Sequence, residues 1–231
     1  LMRSYSGTTR VPQKAQVLEE SINCAWHALS LWWFSQLDGR GPLDVLSNLK
    51  EHMSALRVIA GHGKPAETNI PHHFAFRGTD DVGYLVSAYL GARAAKACGI
   101  RYYVLQNMMS VPKQIFGLPD LIRSRVLLRL VRKLEDKDFT IIYQPRAGLD
   151  FFSPDTTRAM GQLAAVTALM ADVEPAEAAS PPIIHVVSHS EGSHLAEPKT
   201  INESVQIVRA ALGHYTHLAR DPELHQLTRG P

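Results

Sequence analysis

The chain has 231 residues, of which 45% are hydrophobic and 20% are charged, and its formal net charge is +2. These values are close to those of an ordinary globular protein, so they exclude a disordered, collagen-like or coiled-coil chain. The basic residues are spread along the sequence, which argues against a nucleic-acid-binding or membrane-binding surface. No run of about 18 apolar residues is present, so no membrane-spanning helix is expected.

The two cysteines, Cys24 and Cys98, are too few for a disulfide framework. Unpaired cysteines are typical of a reducing compartment. We therefore expect a cytoplasmic protein.

Helical and strand-like segments alternate along the chain. Apolar residues at helical spacing and local capping signals predict helices over residues 13–28, 43–60, 80–98, 118–135, 155–171 and 200–218. Short runs of aromatic and β-branched residues predict strands over 29–34, 70–77, 101–107, 139–144 and 183–188. In the helix that ends near residue 171, Ser153 to Asp155 is expected to form the cap, with Pro154 at the first helical position.

Alternation of strand and helix favours parallel strands joined by right-handed crossovers. The predicted strands are apolar throughout, as in a sheet that is covered on both faces. We therefore predict an α/β fold with about five strand–helix units, arranged as a barrel or as a doubly wound sheet. A closed barrel of eight units needs roughly 300 residues at this unit length, so a barrel formed by this chain would be partial. It should occupy residues 1–220, and residues 221–231 should form a frayed tail.

Polar residues concentrate where each predicted strand ends and its loop begins. In α/β sheets and barrels, ligands bind beyond the carboxyl ends of the strands. The candidate site residues at these ends are Gln36, Asp38, His73, Arg77, Tyr143, Arg146, Ser188, His189 and Ser190.

Several familiar motifs are absent from the sequence. It has no GxGxxG after a strand, no Walker loop, no HExxH and no GxSxG. It also has no CxxC and no paired Cys/His set, so no metal site is expected.

Four segments resemble a known enzyme family. They are GKPAETNIPHHFAFRGTDD (63–81), YYVLQNMMSVPK (102–113), YQPRAGLDFFSPD (143–155) and HVVSHSEGSH with INESVQIVRAAL (185–194 and 201–212). Together they are similar to the barrel domain of the adenosylcobalamin- and pyridoxal-phosphate-dependent aminomutases. This family includes the D-ornithine 4,5-aminomutases and the lysine 5,6-aminomutases.

The resemblance implies a fold of the (β/α)8 barrel type, of which this chain should hold about five of the eight strand–helix units. It also implies an isomerase that moves the terminal amino group of a basic amino acid, D-ornithine or lysine, to the adjacent carbon by radical chemistry. It implies two cofactors, pyridoxal 5′-phosphate (PLP) and adenosylcobalamin. The candidate catalytic residues are then Tyr143, His189, Gln36 and Asp38. Tyr143 would stack on the pyridine ring, His189 would bond its phenolic oxygen, and Gln36 and Asp38 would meet the substrate amine.

The same resemblance implies further cofactor-binding residues. Arg146 and Arg77 would hold the phosphate or the substrate carboxylate, and Ser188 and Ser190 would add hydroxyl groups. His73, one of two adjacent histidines, is the remaining candidate.

The sequence departs from the family in one respect. The cobalt-ligating motif DxHxxG does not occur here, and the lysine that holds PLP belongs to the same missing domain. We therefore expect a partner domain or subunit that carries both, within an oligomer that also binds the small amino acid substrate.

Two other readings fit the sequence. A metal-dependent barrel hydrolase or lyase could use His73, His185, His189 and Glu191. Alternatively, the chain could be a degenerate barrel subunit that has no catalytic activity but retains the polar residues at its strand ends.

Overall fold

A computed structural model describes residues 2–5, 7–112, 116–177 and 179–219. Over these residues the protein has a mixed α/β fold, with one five-stranded parallel sheet and seven α-helices. This confirms the predicted α/β class. The expected frayed tail, 221–231, lies outside the described residues.

The strands follow the order of the chain across the sheet. They are β1 (Arg3–Tyr5), β2 (Trp26–Leu29), β3 (Ala66–Thr68), β4 (Tyr102–Met109) and β5 (Thr140–Ala147). The order in the sheet is β1-β2-β3-β4-β5, so the sheet has no point at which its order reverses. Tyr5 pairs with Ala28, and Ala28 pairs with Glu67.

Helices connect and flank these strands. They are α1 (Val11–Ile22), α2 (Val45–Gly61), α3 (Pro71–Ala75), α4 (Asp81–Ala97), α5 (Leu118–Arg132), α6 (Thr156–Ala171) and α7 (Pro198–Ala219). Two short 3-10 helices cover Leu149–Phe151 and His189–Gly192. Among the described helices, none is long and apolar enough to cross a membrane.

The chain divides into two compact units. Unit 1 comprises Leu1–Asn107 and Val126–Tyr143, and unit 2 comprises Met108–Arg125 and Gln144–Pro231. The core of unit 1 contains Leu56 and Tyr103, while Leu163 and Val208 are buried in unit 2.

Aspartates begin three of the long helices. The side chains of Asp44, Asp80 and Asp155 accept hydrogen bonds from the first free backbone N–H groups of α2, α4 and α6. The N-cap of α6 is thus Asp155, and Pro154 precedes the cap instead of occupying the first helical position.

The first predicted strand, 29–34, is misplaced. The strand is β2, which ends at Leu29, and the aromatic run that follows is a series of turns. Leu31 and Phe34 both have positive φ, 52° and 60°, which an extended strand does not allow. The apolar character of this run comes from packing, because the Trp33 ring lies edge-on to Phe74 at 4.8 Å.

The second predicted strand, 70–77, is wrong. The strand β3 ends at Thr68, and residues Pro71–Ala75 form the short helix α3. Pro71 suits the first turn of a helix, where its missing N–H is not needed. Ile70 and Phe74 are four residues apart, so the apolar residues fit a helical spacing as well as an extended one.

The last predicted strand, 183–188, is reduced to one bridge between Arg146 and His185. His185 N–H donates to the Pro145 carbonyl at 3.1 Å. Extending this parallel ladder toward residue 183 requires an N–H at residue 145. Pro145 has none, so the pairing stops.

Helix α4 lies close to β3 because of a glycine. A Cβ atom at Gly91 would come within 2.5 Å of Ile70 Cδ1 and 2.7 Å of Thr68 Oγ1. The Thr68 hydroxyl is itself hydrogen-bonded to the buried Tyr103 hydroxyl. The close approach therefore leaves no room for a side chain.

We predict that Gly91→Ala lowers the free energy of unfolding by about 1–3 kcal/mol, because the added methyl group overpacks this contact. Gly161→Ala in α6 is the matched control, since nothing lies within 4 Å of a Cβ atom there. It should stabilise the protein by about 0.5–1 kcal/mol through its higher helix propensity. Urea unfolding measures both, and equal effects of the two changes would contradict the contact.

Candidate functional site

The loops that follow β2 and β3 meet in unit 1. The first carries Asp38 and Arg40. The second, which includes the short helix α3, carries His73 and Arg77. We call these four residues the two-arginine cluster. Both loops leave the carboxyl ends of adjacent parallel strands, which is where α/β proteins bind ligands.

Asp38 is the centre of the two-arginine cluster. Its carboxylate is fully buried and accepts hydrogen bonds from the backbone N–H groups of Phe34 and Ser35, both at 3.1 Å. Arg40 donates to Oδ2 from Nε at 2.8 Å and from Nη2 at 2.6 Å. Arg77 Nη2 lies 3.8 Å from the same oxygen. Both carboxylate oxygens are therefore already engaged.

Opposing effects act on the pKa of Asp38. Burial raises it, while the hydrogen bonds from Arg40 and the Phe34 backbone lower it, and the net pKa lies below its usual value. Asp38 is therefore ionised at neutral pH.

Aromatic rings, as well as the charge of Asp38, fix the positions of the two arginine side chains. The Arg40 guanidinium lies 3.9 Å from the centre of the Phe34 ring, and that of Arg77 lies 4.3 Å from the Trp33 ring. Arg77 Nη1 also donates to the His73 carbonyl at 2.9 Å. Each arginine side chain is 41% exposed, so both present N–H donors to solvent. Such fixed guanidinium groups suit a carboxylate or phosphate ligand.

Helix α2 anchors the first of these loops. The buried Asn48 side chain donates to the carbonyls of Leu31 and Trp33. The second loop is anchored through Phe74 of α3, whose ring packs on Trp33. These contacts bring His73 to the cluster, where its Nδ1 lies 3.5 Å from Arg40 Nη2.

Gln36 lies in the same loop as Asp38 but points elsewhere. It is exposed, and its Nε2 donates to the Pro42 carbonyl at 2.8 Å. The structure thus brings together Asp38, His73 and Arg77 of the predicted set, and leaves the Gln36 side chain at the loop surface.

Tyr143, on β5, is buried within unit 1. Its hydroxyl accepts a hydrogen bond from Asn107 Nδ2 at 2.8 Å, and Asn107 Oδ1 accepts one from the Tyr84 hydroxyl of α4 at 2.9 Å. Only 1% of Tyr143 is exposed, so its ring is covered by protein.

In unit 2, Ser188, His189 and Ser190 form the start of a short 3-10 helix. Ser188 caps this helix and accepts from Ser190 N–H at 3.3 Å, and the two hydroxyls are 2.9 Å apart. The backbone N–H of His189 donates to the Ser204 hydroxyl of α7 at 3.1 Å. The His189 ring is buried, and neither ring nitrogen has a hydrogen-bond partner among the described residues, although Nε2 lies 3.4 Å from Glu203 Oε2.

Arg146 also belongs to unit 2. It is half-buried on β5, and its Nε lies 3.4 Å from the Ala147 carbonyl. The predicted site residues are therefore divided between the two units. Asp38, His73, Arg77, Gln36 and Tyr143 lie in unit 1, and Arg146, Ser188, His189 and Ser190 lie in unit 2.

The sequence analysis missed a buried carboxylate on β3. Glu67 accepts from Arg3 Nε and Nη2 at 2.9 and 2.6 Å, from Trp26 Nε1 at 2.8 Å and from Gln106 Nε2 at 2.9 Å. The four residues come from four strands far apart in the chain. Because Glu67 is followed by Thr68 and Asn69 in a polar stretch, no local pattern marks it as buried.

The sequence analysis also missed a cluster of possible metal ligands, Glu19, Cys24 and His27. Their side-chain donor atoms all lie within 4.8 Å of one another. The spacing E-x4-C-x2-H is the signal that could have found them.

The ligand set of the alternative metal-dependent hydrolase does not converge. Among the described residues of unit 2, His185, His189 and Glu191 do not form a group of three ligand atoms within metal-binding distance. The hypothesis of a metal-dependent hydrolase therefore gains no support from these three residues.

No protein-family model matches the chain, and no curated protein is significantly similar to it.

We predict that Asp38→Asn lowers the free energy of unfolding by about 2 kcal/mol at neutral pH, because hydrogen bonds to a charged acceptor are lost. The folded-state pKa of Asp38 is lowered, so its stabilising effect is present above the unfolded-state pKa and is lost as the pH falls through the folded-state value. The difference between the variant and the wild type should therefore shrink in acid. Urea unfolding at several pH values measures it.

Asp138→Asn serves as the control, because the Asp138 side chain is 69% exposed. It should change stability by less than about 0.5 kcal/mol at any pH. A difference between Asp38→Asn and the wild type that does not change with pH would contradict the buried ion pair.

Proposed function

We propose that this chain is the PLP- and substrate-binding barrel part of an adenosylcobalamin-dependent aminomutase. It acts on a basic amino acid such as D-ornithine or lysine, together with a partner that carries the cobalamin-binding domain. The single observation that best supports this is the convergence of Asp38, Arg40, His73 and Arg77 in the loops that follow two adjacent parallel strands.

The strand order supports a barrel over a doubly wound sheet. In a doubly wound sheet the order reverses at a switch point, whereas in a barrel each strand neighbours the next one in the chain. The order β1-β2-β3-β4-β5 is of the second kind. We therefore propose that the sheet is part of a (β/α)8 barrel.

The two-arginine cluster suits the carboxylate of an amino acid substrate. Arg40 and Arg77 keep exposed N–H donors while Asp38 and the aromatic rings fix their positions. Asp38 is then a positioning residue, because both of its oxygens already accept hydrogen bonds. The role of Gln36 toward the substrate amine rests on the resemblance alone, since its side chain is exposed and donates to the Pro42 carbonyl.

The residues of unit 2 fit a phosphorylated cofactor. Within the described part of the chain, Nδ1 of the buried His189 ring has no hydrogen-bond partner, so it can bond a phenolic or phosphate oxygen. The Ser188 and Ser190 hydroxyls and the Arg146 guanidinium are the donors that phosphate prefers. The role of Tyr143 rests on the resemblance alone, since its ring is covered and its hydroxyl is held by Asn107.

When bound, PLP would supply a conjugated ring that stabilises the migrating amino group, and adenosylcobalamin would supply the radical that abstracts hydrogen. The residues of this chain bind and orient the substrate and the cofactor. Arg40 and Arg77 orient the substrate carboxylate, and His189 holds a hydrogen bond to the cofactor. The free cysteines fit a cytoplasmic enzyme.

Equilibrium dialysis of PLP against the full chain, mixed with a DxHxxG-containing partner domain, tests this function. We predict that the complex binds PLP, and that His189→Gln weakens binding about tenfold because one hydrogen bond is worth about 1.4 kcal/mol. His194→Gln is the matched control. His194 lies five residues further on and is exposed, and its Nδ1 bonds only the neighbouring Ser193 hydroxyl.

A complex that binds no PLP would overturn the proposed function. A complex in which His189→Gln and His194→Gln bind PLP equally well would keep the function and overturn the assignment of His189.

A further inference from the structure

The end of α1 and the start of β2 enclose three metal-ligand side chains. Glu19 lies in α1, Cys24 follows the helix, and His27 lies on β2. Cys24 and His27 are fully buried, and the Glu19 side chain is 4% exposed. Asn23, with φ 52°, turns the chain so that the Glu19 carboxylate reaches back over this turn and accepts from Cys24 N–H at 3.2 Å.

We propose that Glu19, Cys24 and His27 bind a divalent transition-metal ion, with Zn²⁺ as the preferred cation. The thiolate, imidazole and carboxylate donors are the three ligand types that Zn²⁺ takes in proteins. The site is independent of the PLP-binding function proposed above.

The surroundings of the Cys24 thiol suit a side chain that binds a metal better than one that only packs in the core. Among the described residues, none hydrogen-bonds to this thiol. The other cysteine differs, because Cys98 Sγ donates to the Met53 carbonyl at 3.5 Å. Cys98 therefore provides an internal comparison.

The His27 ring is oriented from its other side. Its Nδ1 lies 2.8 Å from the buried Ser4 hydroxyl, and its Nε2 lies 2.7 Å from Glu19 Oε1. A second hydrogen bond of this kind is what commonly orients a metal-bound histidine. It leaves Nε2 as the ligand atom that faces Glu19 and Cys24.

Binding requires one net deprotonation and a small movement. The Cys24 thiol loses its proton to solvent and forms the sulfur–metal bond. The neutral imidazole carries its proton on Nδ1, where the Ser4 hydroxyl accepts it, so that Nε2 can bind the metal. Tetrahedral ligands of Zn²⁺ are about 3.3 Å apart, so His27 Nε2 and Glu19 Oε1 must separate by about 0.6 Å.

Lys64 is a cation in contact with this cluster. Its Nζ lies 3.4 Å from Glu19 Oε2 and donates to the Asn23 side chain and the Cys24 carbonyl. It engages the oxygen of Glu19 that does not bond His27, which keeps Oε1 directed at the other two ligands. Its charge opposes a metal ion, and the new Cys24 thiolate offsets that charge.

Cobalt is the probe, because a thiolate bound to Co²⁺ gives a charge-transfer absorption that Zn²⁺ abolishes when it displaces the cobalt. We expect the full chain and Cys98→Ser to take up one equivalent of Co²⁺ with this absorption. Cys24→Ser should lack it. Ser4→Ala should keep the absorption and weaken binding about tenfold, since it removes only the bond that orients His27.

Two further measurements separate loss of a ligand from loss of the fold. Zn²⁺ should raise the Tm of the wild type and of Cys98→Ser, but not that of Cys24→Ser. Glu19→Gln keeps an acceptor for the Cys24 N–H and should fold, retain the absorption and bind Co²⁺ at least about tenfold more weakly.

The proposal is overturned if the wild type shows no thiolate-to-cobalt absorption. It is equally overturned if the absorption persists in Cys24→Ser, or if Cys98→Ser removes it.

Discussion

The buried carboxylate of Glu67 is the interaction on which the sheet of unit 1 depends. It lies on β3, and it accepts hydrogen bonds from Arg3 of β1, Trp26 of β2 and Gln106 of β4. A buried charge is tolerated only when it is paired and its hydrogen bonds are satisfied, and losing one partner costs about 3–5 kcal/mol. A shift of one residue in any of these strands would turn its donor to the other face of the sheet. Glu67 therefore selects a single register for four strands.

That register places the loops of the candidate site. Because β2 and β3 are aligned at Ala28 and Glu67, the loops that follow them begin at the same edge of the sheet. Asp38 acts in a similar way, because its buried carboxylate holds Arg40 and Arg77, which come from two different segments. The difference is exposure. Arg3 is largely buried and donates to Glu67 inside the protein, whereas Arg40 and Arg77 are exposed enough to present N–H donors to solvent.

The predictable parts of the fold are those with strong local signals. Helices α2, α4 and α7 were predicted from apolar spacing and local capping signals. Strands β4 and β5 were predicted from their β-branched and aromatic residues. The incorrect predictions concern apolar runs that can be buried in more than one backbone conformation. The aromatic run 29–34 packs as a loop, residues 70–77 contain α3, and Pro145 limits the pairing of 183–188. The short edge strand β1, with only three residues, carried no usable pattern.

By itself the sequence determined the alternation of helices with parallel strands and the concentration of polar residues behind the strand ends. Both follow from local chemistry, namely side-chain periodicity, capping and the turn-forming residues. Tertiary structure decided which polar residues meet. Glu67 finds Arg3 across 64 positions, and His73 approaches Arg40 across 33. Such partners are chosen by strand register and by the need to satisfy buried charge, and neither is encoded within a short stretch of chain.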